Sequence, residues 1–540
     1  MLPTKMLRIV STICIITLSS VAATNAEDSI ARQLRGMLAA PRLGKDFTSN
    51  SRNTIVQMFM RPWNEIKNEC NDGYMDNYGA IQVSPPQEHP LVSDDHLGGK
   101  YTWWLHYQPV SYSLNSALGT RIEFEEMAAA CNERGVGIIV DAVINHMTSA
   151  STSGIGSAGN EWNGPDQAYK YFSKDDFNVP CTITDWQDTA MVQNCQMGDL
   201  NDLKTDSSYV QEQIVNFLNN LIGIPGVIGF RVDAAKLIPA DDMKAILDQV
   251  SGDPFVLLEI LNEQLASQFG NYESLGFGTD SFCRNSIEWA LGPKNGSPWQ
   301  FLNGIEDNWC FGSGNPQSGN ALKALWFVSN HDSETHKDWD QLNYYNDNWM
   351  GTSSTTMYEA ALAWIFMYPH GVPRLTSGYG DQTGDWPDFG DGANAPPNSI
   401  NGFNPGKRDI TWNNMHRSTS VQNLLKIHNA ASNPIDIKVT HKERGENDEQ
   451  VSWSLTSISS GLGDVFVAIN AGRNEYDVSW SATRSTSLPD GDYCNAYLEG
   501  NTMGDSCEKE TYEVRGGRVN FMGAGKELSQ TGNRILILSR

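Results

Sequence analysis

The chain has 540 residues, 39% hydrophobic and 10% aromatic, enough apolar material for a large core, which excludes global disorder. A chain this long holds about two to four domains, or one large α/β barrel with an appendage. The formal net charge of −26, from 64 acidic and 38 basic residues, argues against nucleic acid or an anionic membrane surface as the main partner, since both are polyanions.

Lys5 and Arg8 precede an apolar stretch, Ile9 to Val21, and small residues follow as far as Ala26. This is the order of a secretory signal, so residues 1–26 are predicted to be a signal peptide and the protein to be secreted and extracellular. The stretch is too short and too interrupted to span a bilayer, and no other segment suits one. Residues 27–53 form an N-terminal extension to which the sequence assigns no role. Of nine cysteines, Cys14 lies in the signal and eight remain. An even number in an oxidising compartment, with no CxxC or Cys/His zinc spacing, predicts disulfides. Cys181 with Cys195 and Cys494 with Cys507 are close enough for local pairs; the residues alone leave the connectivity open.

Residues 54–430 alternate short apolar runs with helical patterns. The predicted strands are 54–60, 79–83, 137–143, 227–233, 255–259, 324–329 and 371–376. Between them, Phe124, Met127, Ala128 and Cys131 follow i, i+3, i+4, i+7 spacing, as do Val210, Ile214, Phe217, Leu218 and Leu221. Alternating strands and helices imply a parallel sheet with right-handed crossovers. At this length a closed (β/α)8 TIM barrel is favoured over an open doubly wound sheet, and no GxGxxG fingerprint follows a strand. Residues 147–206, rich in Gly, Ser, Asn and Asp, break the rhythm and predict an inserted loop domain after strand 3. From 431 to 540, runs such as VSWSL, DVFVAIN, YDVSW and NRILILS predict a C-terminal antiparallel β-sandwich domain.

Polar residues collect where the predicted strands end. Asp141, Asn145 and His146 follow the third. Arg231, Asp233 and Lys236 follow the fourth, Glu259 ends the fifth, and Asn330, His331 and Asp332 follow 324–329. In a parallel barrel those ends form the catalytic mouth. One such Asp is most often a helix N-cap; four carboxylates, each straight after an apolar strand, point to a site. Paired carboxylates without an organic cofactor suggest hydrolysis, and glycoside hydrolysis needs one ionised and one protonated carboxyl. A metallohydrolase would need several of these groups as ligands, and no HExxH motif is present.

The segments DAVINH (141–146), GFRVDAAK (229–236), LLEI (257–260) and FVSNHD (327–332), with LNDL (200–203) in the loop domain, resemble the signature segments of the α-amylase family of glycoside hydrolases, in the family's order. IQVSPPQEH (81–89) and WWLHYQPVSY (103–112) resemble its animal-type, chloride-dependent members. The resemblance implies an enzyme hydrolysing internal α-1,4-glucosidic bonds of starch, glycogen or malto-oligosaccharides with retention, expected to be monomeric. It implies Asp233 as nucleophile, Glu259 as acid/base and Asp332 as transition-state stabiliser, with Arg231 keeping Asp233 ionised. His146 and His331 are implied sugar ligands supported by Asp141. Trp104 and Tyr107 form an implied stacking platform beside Gln108, and Lys236 lines the aglycone side.

Calcium is implied at the side chains of Asn145 and Asp202 and the carbonyls of Gln193 and Leu237, bridging barrel and loop domain. Leu237 stands where the family usually has His, so a carbonyl ligand survives but a side-chain sugar contact is lost. Chloride is implied at Arg231, Asn330 and Arg374, where an anion would favour the protonated form of Glu259. The resemblance also implies Cys70–Cys131 and leaves Cys283 for Cys310, a pair unlike the subgroup's usual one. The subgroup's Gly-rich loop after NHD is replaced by SETHKDWDQLNYYND. The rival expectations are a glucanotransferase on the same site and a catalytically inactive starch-binding homologue.

Overall fold

The structure, a computed structural model, describes residues 52–91, 103–260, 269–291, 296–305, 323–335, 354–381, 410–412, 414–431, 436–445, 448–472, 483–500, 510–521 and 534–540, with a few single positions between them. The expected signal peptide, almost all of the N-terminal extension, most of the SETHKDWDQLNYYND segment and the YDVSW run lie outside the described residues.

Eight parallel strands close into a barrel in sequential order. They are β1 (Ile55–Met58), β2 (Ala80–Val83), β3 (Gly137–Ala142), β4 (Val227–Val232), β5 (Phe255–Leu258), β6 (Phe277–Thr279), β7 (Ala324–Phe327) and β8 (Val372–Thr376). Seven coincide with predicted strands. The sequence reading missed β6, whose three residues, Phe-Gly-Thr, are too few to show a period and carry a glycine.

Side chains alternate across each strand. Val56, Met58, Ile81, Val83, Val140, Phe230, Val232, Val256, Leu258 and Trp326 face outward into the shell of helices. Ile55, Ala80, Ile139, Phe255, Leu257, Phe277, Leu325, Phe327 and Val372 point inward and fill the barrel as an apolar plug. Gly229 falls in this inward phase beside the Phe255 carbonyl, where a Cβ would collide with backbone. On the outside, α1 (Trp63–Asn71) packs on α2 (Arg121–Glu133), joined by the Cys70–Cys131 disulfide. The other disulfides are Cys181–Cys195, Cys283–Cys310 and Cys494–Cys507. Among the described residues no helix is long and apolar enough to cross a membrane.

The C-terminal part is two antiparallel four-stranded sheets. One orders as β9 (Ile437–Arg444), β10 (Gln450–Ser457), β11 (Gly463–Asn470) and β16 (Ile535–Ser539). The other orders as β12 (Thr483–Ser485), β15 (Arg518–Asn520), β14 (Thr511–Arg515) and β13 (Gly491–Cys494). Phe466, Ala468, Tyr493, Tyr512, Val514, Leu536 and Leu538 form the core between them. The opposite face of the first sheet joins the barrel's outer core through Trp453, whose ring lies 5.0 Å from Trp364 and whose Nε1 donates to Met367 O at 3.1 Å.

A buried ionic cluster ties α1 to the segment after β8. Glu69 receives Arg61 Nη1 at 3.2 Å and Arg417 Nε at 2.8 Å, and His416 Nε2 lies 3.2 Å away. Burial raises the Glu69 carboxyl, but hydrogen bonds and charge from His416, Arg417 and Arg61 outweigh it and hold it at about 2.

Candidate active site

The inward phase of the strands turns polar one step above the apolar plug. After Ile55 comes Gln57, after Ala80 Gln82, after Ile139 Asp141, after Leu257 Glu259, after Val372 Arg374, and β4 contributes Arg231 and Asp233. All of these are buried. Parallel pairing sets Asp141 level with Arg231 and Arg231 level with Leu257. Asp233 N–H donates to Ala142 O and Glu259 N–H to Val232 O, extending the ladder beyond the regular strands.

Arg231 is the hub. Its Nη1 lies 2.6 Å from Asp141 Oδ1 and 2.7 Å from Asp233 Oδ1, and its Nη2 pairs with Glu259 Oε1. Tyr107 OH donates to Asp141 Oδ2 at 2.9 Å. Ala234, held in the left-handed region at φ 47°, donates its N–H to Glu259 Oε2 at 2.8 Å. Three carboxylates therefore share one guanidinium. Burial pushes Asp233 well above the usual carboxylate range, with Glu259 and Asp141 adding to it against the pull of Arg231. Asp141 rises to about 6, again from burial first. Arg231 pulls Asp233 toward its ionised form, as expected, while desolvation and the charges of Glu259 and Asp141 act against it.

A cleft of about 430 Å³ opens on this cluster, lined by Trp103, Trp104, Tyr107, Gln108, His146, Met197, Leu200, Asp233, Ala234, Lys236, Glu259, His331 and Asp332. His331 stacks on Phe59 at 4.7 Å and on Tyr107 at 5.3 Å, and its Nδ1 meets Gln57 Nε2 at 3.0 Å. His146 Nε2 meets the Tyr107 carbonyl at 3.0 Å, and burial lowers this histidine to about 4. Asn330 Nδ2 donates to Asp332 Oδ2 at 3.1 Å. Lys236 Nζ sits over the Trp186 ring at 5.1 Å, and burial lowers its pKa. Gln57, Gln82, Phe59, Met197 and Leu200 escaped the sequence reading. The two glutamines carried a usable signal, a polar residue in the inward phase of an apolar strand.

Asn145 and Asp202 meet where the inserted region crosses the barrel. His146 pairs with Asp202 across two short antiparallel strands, His146–Ser149 and Leu200–Asp202. Asn145 Nδ2 donates to Asp202 Oδ1 at 3.3 Å, and Asn178 Nδ2 to Oδ2 at 2.8 Å. Burial raises Asp202 to about 7, since only neutral amides face it. The apolar group of Ile183, Val192, Cys195, Ala234 and Leu237 brings the Gln193 turn against the Leu237 turn. Gln193 Nε2 donates to Tyr272 OH, which donates to Ile238 O. Arg374 donates from Nη1 to Gln82 Oε1 at 3.0 Å, while its buried Nε and Nη2 have no hydrogen-bond partner among the described residues. Asp280, Cys283, Cys310 and His370 also converge, but the two sulfurs are bonded to each other and are not metal ligands.

The family profile described as the α-amylase catalytic domain matches residues 107–258. An α-amylase of Thermomonospora curvata is 34% identical over 486 residues, covering 87% of this chain and 71% of the relative. An α-amylase of the beetle Hypothenemus hampei is 30% identical over 492 residues, covering 88% and 91%. The crystal structure of α-amylase I from Eisenia fetida superposes with a TM-score of 0.74 at 26% identity, covering 91% of this chain and 98% of that one. A variant of that same enzyme was solved with maltohexaose.

Proposed function

The chain belongs to the α-amylase family of glycoside hydrolases, and from that premise we propose a secreted, calcium-dependent, endo-acting α-amylase that cleaves internal α-1,4-glucosidic bonds of starch or glycogen with retention. The catalytic unit is the 54–430 barrel with its 147–206 insertion, and the eight bonded cysteines support an extracellular site of action. One observation carries the catalytic reading: Asp233 and Glu259 sit on the two terminal nitrogens of one guanidinium in a cleft rimmed by Trp104 and Tyr107. A shared guanidinium keeps the two carboxyls near each other, which supports the closer spacing of a retaining pair.

Glu259, as the acid, gives its proton to the glycosidic oxygen while the Asp233 carboxylate attacks the anomeric carbon. The glycosidic bond breaks and a glycosyl–Asp233 ester forms. Glu259, now a carboxylate, takes a proton from water, whose oxygen displaces Asp233 and restores the original anomer. Arg231 holds both carboxyls in register, and Asp332 with His146 and His331 grips sugar hydroxyls. Tyr107 and Trp104 offer their ring faces to the sugar.

Calcium fits the hard-oxygen set of Asn145, Asp202 and the carbonyls of Gln193 and Leu237, because Asp202 is a buried carboxylate faced only by amides. When bound, it supplies the positive charge that Asp202 lacks and so pins the insertion to the barrel. Chloride fits beside Arg374, whose buried Nε and Nη2 have no acceptor among the described residues, with Arg231 and Asn330 as the other ligands.

The test is digestion of soluble starch, with product size and anomeric form followed with and without a calcium chelator. Short products appearing early, as α-anomers, with loss of activity on chelation, are expected. β-Anomers or release only from chain ends would overturn the mechanism. Cyclic or elongated glucans would mark a glucanotransferase, and an inert protein a binding homologue.

A further inference from the structure

Gln57, buried in the inward phase of β1, has no part in the chemistry above. An amide inside an apolar strand is costly unless its hydrogen bonds are made. Parallel pairing sets Gln57 level with Thr376 of β8, and Thr376 Oγ1 lies 3.2 Å from Gln57 Oε1. The same hydroxyl lies 2.6 Å from the carbonyl oxygen of Ser329, just after β7. With Oε1 turned to Thr376, the other end of the amide meets His331, its Nε2 standing 3.0 Å from the ring Nδ1. The imidazole is buried and lies nearly parallel to Phe59 and Tyr107, at 22° and 10°, and edge-on to Trp103. Its Nε2 is 3.5 Å from Asp332 Oδ1, beside the cleft. Stacking fixes the plane of the ring but is blind to which nitrogen carries the proton.

We propose that Gln57 is a positioning residue for His331: its amide N–H holds Nδ1 as an acceptor and so keeps the neutral imidazole in the form with its proton on Nε2, facing Asp332 and the sugar. This rests on the reading of His331 as a sugar ligand.

A primary amide nitrogen donates and does not accept, and a neutral imidazole has one donor and one acceptor nitrogen. With an NH2 group against Nδ1, that nitrogen is bare and the ring proton falls on Nε2. His331 then presents a donor to the cleft, where a sugar oxygen or the Asp332 carboxylate accepts it. The opposite form sets N–H against N–H across 3.0 Å and leaves a bare nitrogen facing the Asp332 carboxylate, two acceptors with no proton between them. The chain from Ser329 through Thr376 and Gln57 to His331 crosses β7, β8 and β1. The barrel wall, rather than the short helix that carries His331, therefore places the proton.

The experiment labels the histidines of the purified protein with 15N and records long-range 1H–15N spectra at pH 8, where protonated and bare ring nitrogens resonate apart. The His331 signals are those lost in His331→Asn. The wild type should show His331 with its proton on Nε2. Gln57→Met, similar in length but without a donor, should show both forms. It should also lower kcat on soluble starch about fivefold, the worth of one hydrogen bond, with KM changed less than about twofold. A wild-type proton on Nδ1 overturns the proposal, and needs no variant to fold. An unchanged His331 spectrum in Gln57→Met, or an unchanged kcat, overturns it too, the first even if turnover falls, since a merely structural loss leaves the ring proton where it was. A wild type inert on starch overturns instead the reading of His331 as a sugar ligand, while the spectra still decide whether Gln57 sets its proton.

Discussion

Two clusters of buried charge, built from the same residue types, come out with opposite signs. Around Glu69 one carboxylate meets two arginines and a histidine, and its pKa falls to about 2. Around Arg231 three carboxylates share one arginine, and Asp233 and Asp141 are driven up. The carboxyls are buried in both, although Arg417 of the first cluster is 37% exposed. The ratio of cations to carboxylates decides the difference. An excess of cations makes a structural clamp that stays ionised across the working pH range. An excess of carboxylates around one guanidinium leaves Asp233 and Asp141 raised instead, the kind of perturbed pair that marks a functional site.

The largest effect is expected from removing charge at the second cluster. Asp233→Asn or Glu259→Gln should lower kcat by roughly 10³-fold or more, scaled from other catalytic groups, with the fold intact. Near-wild-type turnover in either variant would remove the catalytic assignment.

Glu69→Gln should do the reverse, leaving turnover intact and costing about 3 kcal/mol of stability, because it strands the buried Arg61. Its pH signature is fixed in sign. The folded pKa lies below the ordinary 4.5, so the stabilisation is present above about 4.5 and is lost as pH falls toward 2. Denaturation midpoints at pH 7 and pH 3 should differ less in the variant than in the wild type; equal differences would show that the clamp contributes nothing.

Asp141→Asn sharpens the contrast. The folded pKa of Asp141 is raised to about 6, so it favours the fold below its ordinary pKa of 3.8, and that favour is lost as pH rises through 6. At pH 7 the variant should melt higher by about 2 °C while turning over more slowly. A lower melting point at pH 7 would show that the hydrogen bonds to Tyr107 and Arg231 outweigh the repulsion.

The smallest effect is expected from Tyr107→Phe. It deletes one hydroxyl bond to Asp141 but keeps the ring against His331. A loss of about tenfold in kcat/KM with no change in melting fits one charge-assisted hydrogen bond. A much larger loss would mean that the hydroxyl positions the whole cluster.

Short-range pattern carried seven strands of the barrel and marked the polar residues at their ends, while the roles of those residues came from the resemblance to the α-amylase family. Seven strands were legible because each is a short apolar run between helical patterns, and Asp141, Arg231, Asp233 and Glu259 were legible because they are polar residues where those runs end. The short β6 was lost because three residues cannot display a period. In the C-terminal sheets, VSWSL, DVFVAIN and NRILILS could be read, while β12 to β15 and the half-exposed β9 carry too little apolar signal. Tertiary structure decided everything that depends on distant partners. Gln57 meets His331, Gln82 meets Arg374, and Glu69 meets Arg417 across separations of 274, 292 and 348 residues. Only closure of the barrel brings those side chains together. Local sequence also says nothing of how many cations surround a buried carboxylate, and that count sets whether its pKa falls, as at Glu69, or rises, as at Asp233.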